Sequence, residues 1–209
     1  VSLIAENKNG VSDAVTLRLS WKGASQSASS DEFVIKPKLY VLAIGVSEYQ
    51  NADYRLGFAS KDARDLAAAC KSLEGGIYRA VETKVLADKE ADKLDILDAL
   101  DWIQKQTTSK DVAIIFMSGH GINDQNGKYY YLPYETDLDK LKRTGVPFSD
   151  ITNTVSGIAG KVLFFIDTCH SGNLMKGARA VDRDIVGTVN ELASAENGAI
   201  VFASSTSNQ

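Results

Sequence analysis

The chain has 209 residues, 44% of them hydrophobic and 24% charged. These are ordinary proportions for a globular protein, and the length suits one sizeable domain and part of another. With 23 basic and 27 acidic residues the net charge is −4, which gives no general electrostatic reason to bind nucleic acid or an anionic membrane. No apolar run approaches the roughly 20 residues a membrane helix needs, and two cysteines with two histidines at wide spacing make a poor zinc set.

The chain opens mid-pattern with Val1-Ser2-Leu3-Ile4-Ala5 and reads as an excised piece, which leaves the compartment open between cytoplasmic and exported. Alternation in 1–5 and again in 15–21, about a turn at 6–10, predicts a short β-hairpin. Such a hairpin is not stable alone, so it belongs to an upstream β-module or is added to the main domain. The small and polar stretch 22–32 reads as a linker. The expected organisation is 1–23 as closing strands, 24–37 as linker and 38–209 as the main domain.

From residue 38 the pattern changes to strands alternating with helices. Strands are expected at 39–46, 80–86, 112–117, 162–166 and 199–203, with a polar loop at 123–127 and the tyrosine-rich run 128–132 after the third. Helices are expected at 60–72 with Ser60 as N-cap, at 89–106, and at 147–158. In 89–106 the apolar positions Leu94, Ile96, Leu97, Leu100, Trp102 and Ile103 recur at helical spacing. Strand–helix alternation of this kind predicts an α/β domain with a mostly parallel sheet and helices on both faces. Cys70 falls in the first helix and reads as a buried apolar residue.

Two apolar runs each deliver a reactive side chain at the C-terminal end, where α/β sheets build their sites. Val112-Ala113-Ile114-Ile115-Phe116-Met117 leads to Ser118-Gly119-His120-Gly121, and Val162-Leu163-Phe164-Phe165-Ile166 leads to Asp167-Thr168-Cys169-His170-Ser171-Gly172. A thiol and an imidazole are the pair that cysteine nucleophilic catalysis needs, because the histidine generates or stabilises the thiolate. Cys169 is the candidate nucleophile and His120 the candidate acid/base. His170 is the rival imidazole, although neighbours on a turn usually diverge. The backbone N–H groups of Gly121 and Cys169 are candidates for an oxyanion hole.

Together, Tyr40-Val41-Leu42-Ala43-Ile44-Gly45, Leu56-Gly57-Phe58-Ala59-Ser60-Lys61-Asp62-Ala63 and the two reactive motifs resemble the caspase-like cysteine peptidases over about 38–209. The match is to the metacaspase and bacterial orthocaspase branch. Animal caspases carry Gln-Ala before the cysteine and Arg, Gln or Gly followed by Gly after it, and this chain departs from that. The resemblance implies a caspase-like sandwich preceded by a short hairpin, and a Cys169–His120 dyad. It also implies cleavage after Arg or Lys, with Asp62 and Asp167 lining an acidic primary pocket. The substrate is then a protein or peptide with a basic residue before the scissile bond. A second cysteine that many metacaspases carry near the first helix is replaced here by Ala59.

Further expectations follow from the same resemblance. A small-subunit segment or chain would complete the fold, and 1–21 resembles the closing strands of an immunoglobulin-like module. Lys176, Arg179 and Arg183, just after the nucleophile, are candidate self-cleavage sites. The chemistry requires no cofactor and no metal. Calcium is a possible activator, with Asp182 and Asp184 able to supply carboxylates. The competing readings are a catalytically silent module used for recruitment, and a different cysteine hydrolase that lacks the acidic pocket.

Overall fold

The computed structural model describes residues 35–170 and 199–204 and, within 1–34, the paired backbone at 2–3, 6–7, 10–11 and 15–16. The chain forms two compact units, Val1–Val34 and Ile35–Gln209. In the first, β1 (Ser2–Leu3) pairs antiparallel with β4 (Val15–Thr16), and β2 (Glu6–Asn7) with β3 (Gly10–Val11). The hairpin therefore narrows further than the expected turn at 6–10, because Glu6, Asn7 and Gly10 are themselves paired.

The second unit is built on five parallel strands. They are β5 (Lys38–Gly45), β6 (Ala80–Ala87), β7 (Val112–Asn123), β10 (Lys161–His170) and β11 (Ile200–Ser204), in the order β11-β10-β7-β5-β6. Beyond the parallel part, β8 (Tyr129–Tyr131) pairs antiparallel with the end of β7, and β9 (Val146–Pro147) with β8. This is the α/β sandwich expected from the strand–helix alternation.

Handedness sets which face each helix covers. Helix α1 (Ala59–Lys71) joins β5 to β6, and α2 (Lys93–Gln106) joins β6 to β7 in the opposite direction across the sheet. Right-handed crossovers then put them on opposite faces. Short α3 (Leu141–Thr144) and α4 (Phe148–Gly157) precede β10, and α4 shares the α2 face. That face is thick: Leu42, Ile44, Ile115, Met117 and Phe164 pack with Ile96, Leu100, Ile103, Ile151 and Val155. On the α1 face Leu39, Val41 and Val81 pack with Cys70, and toward the C-terminal end the layer thins to Ala43 against Ala63 and Ala67. At Gly45 a Cβ would collide with the Ala59 carbonyl and come within 2.9 Å of the Ala63 Cβ. Glycine there lets the start of α1 rest on the C-terminal end of β5.

Several boundaries differ from the sequence expectations. Ser60 is not the N-cap of α1. Phe58 holds that position without a side-chain hydrogen bond. Ser60 is the buried second helical residue, and its N–H donates to the Ser47 hydroxyl at 2.9 Å. A distant serine thus meets one of the unpaired N–H groups of the helix start. Helix α2 begins at Lys93, after a 3-10 turn, because Asp92 caps it by accepting from the N–H of Asp95 (2.8 Å). Leu94, one of the apolar positions at helical spacing, is 71% exposed. Cys70 is a free, buried thiol, and burial pushes its pKa up.

Candidate active site at the C-terminal edge of the sheet

Strand β7 does not end at Met117. It runs on through Ser118-Gly119-His120-Gly121 to Asn123, and β10 runs on through Asp167-Thr168-Cys169-His170. Ladder pairing begins at Lys161 with Val112. It continues without a slip to Asp167 with Ser118, Cys169 with His120, and His170 with Gly121. The candidate nucleophile and acid/base thus occupy directly paired positions on adjacent parallel strands, where strands lie ~4.8 Å apart. Gly121, the other oxyanion candidate, also pairs with Tyr131 of β8, so its backbone is held from both sides within the sheet rather than in a turn.

His120 is buried, with 8% of its surface exposed. Its peptide N–H donates to the Tyr49 hydroxyl (2.8 Å), and its carbonyl accepts from the Leu132 N–H (3.0 Å). The Tyr49 ring lies 5.2 Å from the imidazole, centroid to centroid. The ring nitrogen Nε2 is 2.8 Å from the carbonyl oxygen of Tyr54. A carbonyl can only accept, so Nε2 carries the proton and Nδ1 is the basic nitrogen of the neutral ring. Tyr54 ends the 3-10 turn Ala52–Tyr54, where terminal carbonyls lack intrahelical donors. Desolvation lowers the His120 pKa below the ordinary 6.5, while the hydrogen bond to Tyr54 opposes this.

Close packing fixes the strand around the imidazole. Gly119 has φ +154°, and a Cβ there would come within 2.9 Å of the Tyr131 hydroxyl and 3.0 Å of the Tyr49 hydroxyl. A Cβ on Gly121 would collide with the Tyr129 hydroxyl. Tyr131 donates to the Ser118 carbonyl (2.9 Å), and Tyr129 donates to the Thr168 hydroxyl (2.7 Å), which ties the β8 strand to both β7 and β10.

The two candidate pocket carboxylates lie at this same edge. Asp62 is exposed in the first turn of α1, and Asp167 is exposed on β10, paired in register with Ser118 on one side and Ser204 on the other. In parallel strands, paired positions share a face and faces alternate along the chain. The row Gly45–Ser118–Asp167–Ser204 is therefore on the α1 face. Among the described residues neither carboxylate makes a hydrogen bond or a salt bridge. Lys176, Arg179, Asp182, Arg183 and Asp184 lie outside the described residues. Among the described residues no three His, Cys, Asp or Glu side chains group to hold a metal ion, and no helix is long and apolar enough to cross a membrane.

Sequence reasoning missed Tyr49, Tyr54 and Ser47. Tyr54 acts through a backbone carbonyl, which every residue type has. Tyr49 and Ser47 act across more than ten residues of chain. The only signal available was that these residues fill the segment between the first strand and the first helix.

Similarity to known proteins agrees with this architecture. Residues 38–209 match the caspase domain family. Among solved structures, a protein of Geobacter sulfurreducens, GSU0716, aligns with a TM-score of 0.53 and 22% identity over 66% of this chain and 53% of that one. The Drosophila initiator caspase Dronc aligns with a TM-score of 0.44, 11% identity and coverage of 72% and 60%. For pro-sf-caspase-1 the values are 0.44, 12%, 80% and 59%. The chain thus spans little more than half the length of these structures, and no curated protein sequence matches it significantly. From Lys38 onward, on the length of that family match, the chain belongs to the caspase domain family.

Proposed function

We propose that the protein is a cysteine endopeptidase of the metacaspase and orthocaspase branch, cleaving after Arg or Lys, with Cys169 as nucleophile and His120 as acid/base. The observation that carries this reading is the pairing of positions 120 and 169, with the imidazole held through Nε2. The Cys169 thiolate attacks the scissile carbonyl carbon, and the oxyanion that forms is met by backbone N–H groups, with Gly121 and Cys169 as the candidates. His120, protonated at Nδ1, gives that proton to the amine as the C–N bond breaks. A water that returns its proton to the imidazole then hydrolyses the thioester. The chemistry calls for no cofactor.

Specificity follows from charge. Asp62 and Asp167 have no cation bound to them among the described residues, so a substrate guanidinium or ammonium would be their partner. Two carboxylates about one guanidinium can hold it through charge-assisted hydrogen bonds. The reading extends to Lys176, Arg179 and Arg183, basic residues close after the nucleophile that suit self-cleavage. A small-subunit segment or chain would complete the domain, and calcium would act as an activator through carboxylates such as Asp182 and Asp184.

The test compares a fluorogenic Arg peptide with an Asp peptide, using Cys169→Ala as the control. Turnover of the Arg peptide alone, abolished in the variant, supports the proposal. Preference for Asp rejects the acidic pocket. Silence on both, with the rest of the caspase domain supplied, favours a recruitment module. Intact mass after the same incubation reads self-cleavage, which must disappear in Cys169→Ala.

A further inference from the structure

Asp88, just past the end of β6, is the one non-glycine residue among the described residues with a positive φ, at 54°. Left-handed backbone is unfavourable for an L-residue, though Asp tolerates it better than most. It persists only where the surroundings hold it, and such positions cluster at functional sites. Here the surroundings are specific. Oδ1 accepts from two successive N–H groups, Ser47 at 2.9 Å and Glu48 at 3.0 Å. Oδ2 lies 3.8 Å from Nη2 of Arg64 on α1.

Ser47 and Glu48 form the base of the loop between β5 and α1. The Leu56 N–H returns to the Ser47 carbonyl at 2.9 Å and closes the loop on that base. The closed segment carries Tyr49, whose hydroxyl meets the His120 N–H, and Tyr54, whose carbonyl meets Nε2. Ser47 also meets the start of α1 through Ser60. One carboxylate thus grips the root of the segment that orients the imidazole.

We propose that Asp88 is a positioning residue for His120. Its carboxylate, presented from a left-handed turn at the end of β6, fixes the loop whose Tyr49 and Tyr54 set the orientation and tautomer of the imidazole. This rests on the reading of His120 as acid/base, because Asp88 acts through the loop that it holds at Ser47 and Glu48.

The experiment is imidazole nitrogen NMR on the 209-residue chain. It has only two histidines, and His170→Gln assigns the second. The unaltered chain should show His120 as the Nε2-protonated tautomer. Asp88→Gly keeps left-handed backbone accessible but removes the acceptor, and it should show a mixture of tautomers. Asp88→Asn retains an acceptor oxygen and should restore the single tautomer. In the active enzyme, Asp88→Gly should lower kcat about 10-fold with KM little changed, the pattern of a misoriented acid/base rather than weaker binding. A folded Asp88→Gly protein with the single tautomer intact and kcat within about twofold overturns the proposal. Should that variant fail to fold, Asp88→Ser is read by the same two outcomes. The spectrum needs no turnover. A Cys169→Ala enzyme that still cleaves would overturn the peptidase reading and leave the tautomer comparison standing.

Discussion

The two ends of the parallel sheet each carry an aspartate, and the two are treated oppositely. At the N-terminal end Asp111 is 4% exposed. Oδ1 accepts from the Lys38 N–H at 3.0 Å, and Oδ2 accepts from the N–H and the hydroxyl of Thr108. At the C-terminal end Asp167 is exposed on β10 and makes no hydrogen bond or salt bridge among the described residues. Folding thus uses up the first carboxylate and leaves the second available. A polar group that is buried and satisfied specifies structure, whereas an exposed acid beside a histidine clasped on several sides can meet a ligand.

The largest effect should follow from removing the satisfied carboxylate. Asp111→Ala strips the Lys38 N–H and the N–H and hydroxyl of Thr108 of their acceptor, in a site that is partly buried. A hydrogen bond to a charged group contributes about 1.5–3 kcal/mol, and water replaces part of what these partly buried donors lose, so a loss of about 3 kcal/mol is expected. For a chain of this size that lowers Tm by ~6–12 °C. Specific activity per folded molecule, measured well below the new Tm, should be unchanged. A thermal scan and an activity titration check the two halves of this expectation.

Asp167→Asn should give the converse. With no partner lost among the described residues, stability should stay within about 0.5 kcal/mol. A hydrogen bond to a charged group is worth about 1.5–3 kcal/mol, so kcat/KM for an Arg peptide should fall roughly 10- to 150-fold, while the intrinsic reactivity of Cys169 toward a neutral alkylating agent stays the same. An equal loss toward Arg and neutral peptides would mean that Asp167 shapes the strand rather than the pocket, and the contrast between the two ends would fail.

The same contrast explains what could be read from sequence. The apolar runs of β5, β7 and β10 announce buried strands, and the equal spacing from Val112 to His120 and from Lys161 to Cys169 already contains the pairing. The extension of β7 through Ser118-Gly119-His120-Gly121 was not legible. Ser and Gly are poor strand formers, and the strand continues there because β8 and β10 pair with it from both sides. Asp111 gave no signal either, since an aspartate ahead of a strand looks like any turn residue. Nor did Asp88, whose left-handed backbone has no signature in a residue type common in turns. Cys169 and His120 stood out because their side-chain types are rare in this chain. Tyr49 and Tyr54 did not, because one acts by a hydroxyl across 71 residues and the other by a carbonyl.

The smallest expected effect separates the two ends by pH. Burial holds His120 below its ordinary pKa of 6.5, so near and below that value the unfolded chain binds more protons than the folded one. Stability therefore falls as pH drops through about 6.5 and continues to fall until the folded imidazole also protonates. Burial alone would raise the Asp111 pKa above its ordinary 3.8, but the hydrogen bonds from Thr108 and Lys38 outweigh it, and the folded value is lowered. Its stabilisation is complete above the unfolded value and is lost as pH falls through the folded one, so this loss lies below about pH 4. Denaturant midpoints measured from pH 8 to pH 3 should decline in two stages. His120→Gln should remove the upper stage alone, and Asp111→Asn should diminish the lower alone. Loss of both stages in either variant would mean that the two ends of the sheet do not titrate independently.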